Sequence, residues 1–339
     1  MRRATAAPGA LGVVVDGDQR TGAASGSLDL AGGEPVTPEA RFRIASITKP
    51  IIAAIVLTAA DRGELDLDAI VADLVPGVIR PDPPVTVRQL LSHTSGIFDE
   101  GNEGDPVADA AALTDPDLRA EADDVLQRYR AGEPVIASDR LLIALAETHD
   151  RYFRPGAGYH YSNINYQLAA LVAETATGRT VAELLDARIV EPLGLEDTTI
   201  APPDLRSPDL RGYDEAGGGT ITDVTDDLLA FGNGGNGGIV STADELLAML
   251  RAIVRGELFS QELVIEMETP VREAYVLGLG TAVTPCGDVY GHSGSVNGTR
   301  SVAWVSPDGS HGIVLAVNLR GAQEPHLEAR AGGILCAGK

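Results

Sequence analysis

Residues 46–63 read SITKPIIAAIVLTAADRG, and this stretch decides the fold because its side chains require burial. Apolar residues fill nearly every position from Ile51 to Ala60, so a helix formed here is apolar all round and belongs in a core. Ser46 is a preferred N-cap residue, and Gly63 suits the left-handed position just past a helix end. We therefore predict a core helix with Ser46 at its start and Gly63 after its end.

Strand-like segments flank this helix at both ends of the chain. Short apolar runs bounded by turn residues predict strands over 11–15, 25–30, 276–280, 289–292, 301–306 and 312–318. The Pro307-Asp308-Gly309 turn would join the last two as a hairpin. Helical patterns cover 86–91, 117–130, 139–147, 163–177, 181–189 and 243–254. This order predicts an α/β (α+β) fold, in which one sheet is built from both chain ends around a helical insertion.

The predicted elements divide the chain into two parts. Its 339 residues suffice for about two domains, or for one large domain with an insertion. We assign residues 1–65 and 235–339 to the sheet region and residues 66–234 to a mainly helical lobe. The acidic segment from Gly101 to Asp150 falls within this lobe, and we expect it to form a rim that selects the substrate.

Composition excludes several functional classes. The chain is 44% hydrophobic and has no apolar run of about 18 residues or more, so no membrane span is predicted. Its 49 acidic and 26 basic residues give a net charge of −23, which repels the phosphates of nucleic acids. A small-molecule or peptide substrate is therefore favoured as the partner, and nucleic acid is not.

Ser46 and Lys49 form the first candidate catalytic pair. Three residues apart on a helix, they share one face, and their side chains can touch. Lys49 and the terminal Lys339 are the only lysines, so chemistry that needs a titratable amine has one candidate. Burial would lower the pKa of Lys49 towards that of a general base, and the helix N-terminus would stabilise developing negative charge. The pattern indicates an activated serine, with a capping serine beside an unrelated lysine as the structural alternative.

Tyr161-Ser162-Asn163 is the second motif, at the start of a predicted helix. A phenol that faces a lysine ammonium would have its pKa lowered below about 10, and could accept or return the serine proton. Asn163 could donate to a substrate carbonyl or hold Lys49. A core tyrosine followed by a helix cap is the structural alternative.

Gly291-His292-Ser293-Gly294-Ser295 is the third motif, at the end of a predicted strand. Its glycines would let a substrate backbone approach the strand. The N–H of Ser295 could pair with that of Ser46 as an oxyanion hole. A glycine-rich strand end with a surface histidine is the structural alternative.

Taken together and in this order, the three motifs resemble those of the penicillin-recognising serine hydrolases, in the variant of class C β-lactamases, serine DD-carboxypeptidases, D-aminopeptidases and related esterases. Similar framework segments are 87–96, 155–156, 237–244 and 277–280. The resemblance implies a β-lactamase-like fold, an antiparallel sheet flanked by helices plus an inserted mainly helical lobe, with the active site between them. It also implies site roles without any cofactor: Ser46 as the acylated nucleophile, Lys49 and Tyr161 as the proton-transfer pair, and Asn163, His292, Gly294 and Ser295 as substrate-binding residues.

Two departures from the family pattern concern substrate carboxylates. His292 stands where β-lactamases usually have lysine, and a mostly neutral imidazole holds a carboxylate less well. The segment 277–281 lacks the arginine that carboxypeptidases of this kind use, and Arg300 is the nearest basic residue. Both departures disfavour β-lactams and D-alanyl-D-alanine peptides as substrates, while the acyl-enzyme chemistry is unaffected.

The two cysteines, Cys286 and Cys336, lack the paired spacing of a zinc site. They are either separate thiols or a disulfide, and the loop that a disulfide closes would be worth roughly 3–5 kcal/mol. Their placing resembles a disulfide of the actinobacterial DD-carboxypeptidases. For localisation two expectations stay open: cytoplasmic if Met1 is the native start, and secreted if a leader was removed.

Three other signals carry less weight. Residues 232–237 match the spelling G-x-G-x-x-G but follow a helix-like segment, so we predict a loop that shapes the cleft instead of a dinucleotide site. His93, His149 and His160 lack metal-ligand spacing and are predicted to be structural. No G-x-S-x-G is present, which disfavours an α/β-hydrolase.

The expected function is a serine hydrolase that acts on an ester or amide through an acyl-enzyme. One alternative is an acyltransferase or amide synthase that passes the acyl group from Ser46 to an amine. The other is a penicillin-binding-like protein that is acylated without turnover.

Overall fold

The computed structural model describes residues 7–30, 32–133, 135–200, 209–216, 220–225, 234–269, 275–296, 298–320 and 326–337. Its strands are β1 (Gly9–Asp16), β2 (Gln19–Gly26), β3 (Phe42–Arg43), β4 (Thr199–Ile200), β5 (Tyr213–Ala216), β6 (Thr220–Asp223), β7 (Ile239–Ser241), β8 (Gly280–Thr284), β9 (Gly287–Val296), β10 (Thr299–Val305) and β11 (His311–Val317).

The α-helices are α1 (Thr48–Asp61), α2 (Val71–Leu74), α3 (Val87–Leu91), α4 (Glu100–Glu103), α5 (Pro106–Ala112), α6 (Pro116–Arg130), α7 (Asp139–Ala146), α8 (Asn163–Thr177), α9 (Val181–Leu185), α10 (Glu191–Leu193), α11 (Ala243–Val254), α12 (Gln261–Glu268) and α13 (Leu327–Leu335). A 3₁₀ turn, Ala45–Ile47, precedes α1, and a π-helical turn, Asp186–Val190, links α9 to α10. Among the described helices, none has both the length and the apolarity that crossing a bilayer requires.

The main sheet joins the two ends of the chain. Its strand order is β2-β1-β11-β10-β9-β8, and each neighbouring pair is antiparallel. Strand β1 lies beside β11, so the first hairpin of the chain pairs directly with its last strand. The structure thus confirms the predicted mixed fold with an antiparallel sheet. The division at residues 65 and 235 stays a prediction.

Both faces of this sheet are covered. In β10, Ala303 and Val305 join the large core that contains α1, whereas Val302 and Trp304 join a second core that includes residues of α13. Successive strand residues point to opposite faces, which explains why four consecutive residues of this strand, 302–305, are apolar. The nine residues from Ile51 to Ala59 are also buried, so the predicted core helix is confirmed.

The start of that helix differs from the prediction. Ser46 is not its N-cap: it lies inside the 3₁₀ turn Ala45–Ile47, and Ile47 occupies the cap position of α1 without a capping side chain. The turn runs directly into the helix, so Ser46 lies two residues before Thr48, the first residue of α1. Gly63 follows the helix end with a φ of +69°, as predicted for a glycine just beyond the C-cap.

Two strands and one helix are also shifted. The second strand is β2 at residues 19–26 instead of 25–30, because the hairpin turns tightly at Gly17 and pairs Asp16 with Gln19. The strand predicted over 276–280 begins only at Gly280, as β8, because the N–H groups of Leu277 and Gly278 donate to Met267 and Leu91 instead of to a neighbouring strand. The predicted helix over 181–189 is divided by the π-helical turn. Helices α4 and α5 were not predicted within the acidic segment.

Candidate active site

Ser46 is held at the edge of the sheet by a strained turn. Ala45 has a φ of +51°, a conformation that costs a non-glycine residue about 1–3 kcal/mol, so its neighbours must impose it. Gly294 of β9 packs against this turn, since a Cβ there would collide with the Ile44 main-chain oxygen and lie 2.8 Å from Ser301 Oγ. The first and third motifs therefore meet because residue 294 has no side chain.

Lys49 is completely buried, and its ammonium nitrogen contacts three oxygens. Nζ lies 3.2 Å from Ser46 Oγ, 2.8 Å from Asn163 Oδ1 and 2.7 Å from the Asn236 carbonyl. Burial lowers the pKa of Lys49 to about 7, and the charge of Asp99 opposes this shift only in part. About half of the Lys49 side chains are therefore neutral at pH 7.

The hydrogen-bond geometry suits the neutral lysine. Asn163 Oδ1 and the Asn236 carbonyl can only accept, so each takes one N–H of Nζ. An uncharged amine then has its lone pair left for the remaining neighbour, the Ser46 hydroxyl. The arrangement can thus accept the serine proton, which is the step that makes a serine nucleophilic.

Asp99 positions Asn163 and was not singled out from the sequence. Its Oδ1 accepts from the main-chain N–H of Asn163 at 2.9 Å and from Nδ2 of the same residue at 3.1 Å. Its other oxygen accepts from Asn102 at 2.6 Å. These bonds turn the Asn163 carbonyl oxygen towards Lys49. Nothing in the sequence distinguishes Asp99 from the other acidic residues of this region.

Tyr161 lies against the pair, but its titration differs from the prediction. Lys49 Nζ is 4.9 Å from the centre of the Tyr161 ring, and the phenol hydrogen-bonds the Ser46 side chain. Burial raises the pKa of Tyr161 far above 10, and the bond to Ser46 only partly offsets this. The prediction of a lowered pKa is wrong, because burial of the phenol outweighs the interactions that lower its pKa. Tyr161 is therefore a protonated phenol that can pass a proton on.

His292 is buried and uncharged. Burial, and secondarily Lys49, lower its pKa to about 4. Nδ1 lies 2.5 Å from the Ser293 carbonyl, which can only accept, so the proton is on Nδ1 and Nε2 is an acceptor. This imidazole supplies no positive charge to the site at neutral pH.

The cleft in front of Ser46 has a volume of about 420 Å³. Six of the seven candidate site residues line it: Ser46, Tyr161, Asn163, His292, Gly294 and Ser295. The seventh, Lys49, is completely buried and does not line it. Arg300, whose orientation the sequence left open, also lines the cleft, as does Arg320. Among the described residues that line the cleft, the positive charges therefore come from β10 and the segment after β11. A joint role of the Ser46 and Ser295 N–H groups as an oxyanion hole stays a prediction.

Part of the glycine-rich segment 232–237 lies at the active-site cleft. Residues 232 and 233 lie outside the described residues. The turn from Gly234 to Gly238 is closed by a 2.7 Å bond between their main-chain groups. Asn236 and Gly237 of this turn line the cleft, and the Asn236 carbonyl holds Lys49. The turn helps to form the site, although its lysine-binding carbonyl has no sequence signature.

The three histidines set aside earlier have structural partners. His93 is fully buried, with its Nδ1 3.0 Å from Asn165 Nδ2 and its ring 4.3 Å from that of Tyr161. His160 stacks on Tyr152, 3.7 Å away. His149 stacks on Phe98.

Within the described part of the chain, one group has the composition of a metal site. Ligand atoms of Glu100, Asp109 and His149 all lie within 4.8 Å of one another. Hydrogen bonds already link the three side chains, since His149 Nε2 lies 2.9 Å from Asp109 Oδ1, and Asp109 also hydrogen-bonds Glu100. None of the three contacts Ser46 or Lys49 in the bonds described above.

The disulfide links Cys286, in the turn between β8 and β9, to Cys336 just after α13. It fastens the hairpin that includes the third motif to the helix on the far face of the sheet. The two thiols are therefore paired in this structure.

Comparisons with known proteins agree with this fold. The chain is 37% identical over 183 residues to the esterase EstB of Burkholderia gladioli, covering 51% of this chain and 42% of the relative. It is 30% identical over 207 residues to a D-aminopeptidase of Brucella anthropi, covering 61% and 35%. The matches thus span less than half of the length of these curated relatives.

A solved structure extends the likeness to the full chain. The D-stereospecific amidohydrolase from Streptomyces sp. superposes with a TM-score of 0.78 at 29% identity, covering 100% of this chain and 97% of that one. Residues 1–335 also match the family described as beta-lactamase. Because this match includes all three motifs and nearly the whole chain, the protein belongs to the beta-lactamase family.

Proposed function

We propose that this protein is a hydrolase that cleaves an amide or ester through an acyl-enzyme on Ser46. The observation that carries the proposal is the buried Lys49 Nζ, 3.2 Å from Ser46 Oγ, with a pKa lowered to about 7. Among the described residues no carboxylate hydrogen-bonds this amine, and a buried amine without such a partner is costly unless it has a task that needs its neutral form. The esterase, D-aminopeptidase and amidohydrolase named above support a hydrolytic reaction.

The proposed acylation step balances as follows. Neutral Lys49 takes the Ser46 proton while Oγ bonds to the substrate carbonyl carbon, which gives a tetrahedral oxyanion in front of β9. The carbon–nitrogen or carbon–oxygen bond to the leaving group then breaks. That group receives the proton from the Lys49 ammonium, through the Tyr161 hydroxyl, which bonds Ser46.

Deacylation repeats these steps with water. Water loses a proton to the same lysine, attacks the acyl carbon, and Ser46 leaves with the proton returned. If an amine takes the place of water, the product is an amide and the reaction is acyl transfer. The acceptor therefore decides between the two reactions, and it can be tested directly.

The test is intact-protein mass spectrometry after exposure to a fluorophosphonate. We expect one adduct on the native chain and none on Ser46→Ala. Ser260→Ala is the matched control, because Ser260 is exposed and makes no capping bond, so this variant should be labelled like the native chain. An adduct that persists in Ser46→Ala would refute the assignment of the nucleophile.

Turnover is tested with p-nitrophenyl acetate and a fluorescent penicillin. Steady release of p-nitrophenol supports the hydrolase, whereas a single burst followed by a stable acyl-Ser46 supports a protein acylated without turnover. Product formed with an added amine, at the expense of acetate, supports the acyltransferase. Labelling by penicillin would show that a carboxylated lactam fits the cleft.

A further inference from the structure

His93 is a buried residue that the proposed serine chemistry does not use. It follows α3 in a short loop, its side chain has no exposed surface, and its φ is +54°. A positive φ is uncommon outside glycine, although histidine and asparagine adopt it more often than most residues. The contacts around His93 must therefore hold it in this conformation.

Two hydrogen bonds of His93 enclose Tyr161 along the chain. The main-chain N–H of His160 donates to the His93 carbonyl at 3.1 Å, and that of Ser162 donates to His93 Nδ1 at 3.2 Å. The residues immediately before and after Tyr161 are thus bonded to the same residue. The backbone that carries Tyr161 is held on both sides.

The imidazole ring also contacts the phenol ring of Tyr161. The two ring centres are 4.3 Å apart, and the ring planes are inclined by 31°. Two aromatic rings at this separation pack against each other, so the imidazole limits the movement of the phenol. The Tyr161 hydroxyl hydrogen-bonds Ser46, and a displaced ring would lose that bond.

The hydrogen-bond partners of Nδ1 define the tautomer of His93. The Ser162 N–H can only donate, so Nδ1 is an acceptor and the ring proton is on Nε2. Asn165 Nδ2 lies 3.0 Å from the same Nδ1, and Asn165 Oδ1 accepts from the Ser95 hydroxyl at 2.6 Å, so this amide also presents a donor to the ring. Burial lowers the pKa of His93 well below its usual range, so the ring is neutral at pH 7.

The other ring nitrogen of His93 shows that stability alone does not favour histidine here. Nε2 has no hydrogen-bond partner among the described residues, and a buried donor without an acceptor costs free energy. An apolar side chain would avoid this cost, but it could not accept from Ser162. The acceptor at Nδ1 is therefore what the site gains from a histidine.

We infer that His93 is a positioning residue for Tyr161, which it holds against Ser46 through the Ser162 N–H bond and the ring contact. His93 is not among the described residues that line the cleft, so it acts on the reaction through Tyr161. This inference rests on the proposed function, in which the Tyr161 hydroxyl passes a proton to the leaving group.

The test uses two amide variants of His93 that differ by one methylene group. In His93→Asn, Oδ1 stands as far along the side chain as Nδ1 and can still accept from Ser162, and asparagine tolerates a positive φ. In His93→Gln the amide lies one bond further out, so this acceptor is lost. Tyr161→Phe removes the hydroxyl itself and gives the size of the full effect.

The measured quantity is kcat/KM for p-nitrophenyl acetate divided by kcat/KM for phenyl acetate. Phenolate is the more basic leaving group, so its departure depends more on a donated proton. We expect this ratio to rise about 10- to 100-fold in Tyr161→Phe and about tenfold in His93→Gln, and to stay within about threefold of the native ratio in His93→Asn. A loss of folded enzyme lowers both rates equally and leaves the ratio unchanged.

The matched control is His326→Gln, which should keep the native ratio. His326 is exposed, and its side chain makes no capping bond to α13.

A double variant tests whether His93 acts through Tyr161. If it does, adding His93→Gln to Tyr161→Phe leaves the ratio of Tyr161→Phe unchanged, because the hydroxyl to be positioned is already absent. Multiplied effects of the two substitutions would overturn the inference.

The inference is also overturned if folded His93→Gln keeps the native ratio, or if His93→Asn and His93→Gln change it equally. Circular dichroism and the melting temperature establish whether each variant is folded, and His93→Leu replaces His93→Gln if the latter does not fold. Either result, with Ser46 still labelled and a raised ratio in Tyr161→Phe, would leave the proposed function in place. An unchanged ratio in Tyr161→Phe, or a native chain without Ser46 labelling, would refute the proposed function and this inference with it.

Discussion

The pH dependence of acylation provides the sharpest test of the site. If neutral Lys49 removes the Ser46 proton, the reactive fraction of the enzyme grows as pH rises through the pKa of Lys49, about 7. An exposed lysine would show this rise near 10.4. The difference comes from burial, because the Lys49 side chain has no exposed surface and, within the described part of the chain, no hydrogen bond to a carboxylate.

The size of the effect follows from that value. The neutral fraction of Lys49 rises from about one eleventh at pH 6 to about ten elevenths at pH 8, a change of about tenfold. His292 does not contribute over this range, since its pKa is about 4, and Tyr161 titrates far above it. We therefore expect one inflection near pH 7 and a plateau above pH 8.

The assay is kcat/KM for p-nitrophenyl acetate between pH 5.5 and 9.5, with the buffer rate subtracted. Glu100→Gln serves as the control for a second titration in this range, since burial raises the pKa of Glu100 to about 8; the inflection near 7 should persist in this variant. Lys49→Arg should be inactive at every pH, because a guanidinium stays charged. A flat profile from pH 6 to 8, or an inflection near 10, would refute Lys49 as the base.

Three other changes have defined outcomes. Gly294→Ala should lower kcat/KM at least tenfold and reduce the melting temperature, because its Cβ would push β9 away from the Ala45 turn. Gly333→Ala is the control, since a Cβ at residue 333 meets no other atom. Equal effects of the two substitutions would contradict the packing argument. Asp99→Ala should lower kcat about 10- to 100-fold, because two N–H donors of Asn163 lose their acceptor. A change confined to KM would instead assign Asp99 to substrate binding. Replacing both cysteines by serine should lower the free energy of unfolding by about 4 kcal/mol, because the disulfide closes a 50-residue loop. The measurement is chemical denaturation, with enzyme activity as the check on the native state. An unchanged denaturant midpoint of unfolding would refute this prediction.

The sequence predicts those parts of the structure that are set by local pattern. Helix α8 begins and ends at Asn163 and Thr177, as predicted, because it is bounded by a turn and by a left-handed Gly178. Helix α11 also has its predicted bounds, with Thr242 as its cap. The sheet joining both chain ends follows from the position of the longer strands, which lie before and after a mainly helical insertion.

The sequence does not predict what depends on contacts between distant segments. The Asn236 carbonyl that holds Lys49 is a main-chain group, and any residue there could supply it. Asp99 matters through its bonds to Asn163, 64 residues away. The pKa of Tyr161 is the plainest case: the prediction considered only the charge of Lys49, whereas the fold buries both groups, and burial raises the pKa of the phenol.

The site contains a buried acid and a buried amine, and Asn163 keeps them apart. Its Nδ2 donates to Asp99 while its Oδ1 accepts from Lys49, so the amide fixes both side chains without a direct ion pair. A carboxylate in the place of the amide would lie about 2.8 Å from Nζ and hold the lysine charged, which would remove the base from neutral pH. An apolar residue there would leave Lys49 and Asp99 each short of a partner. An amide at residue 163 therefore satisfies two requirements that oppose each other: Lys49 is held in place, and its pKa stays low enough for catalysis.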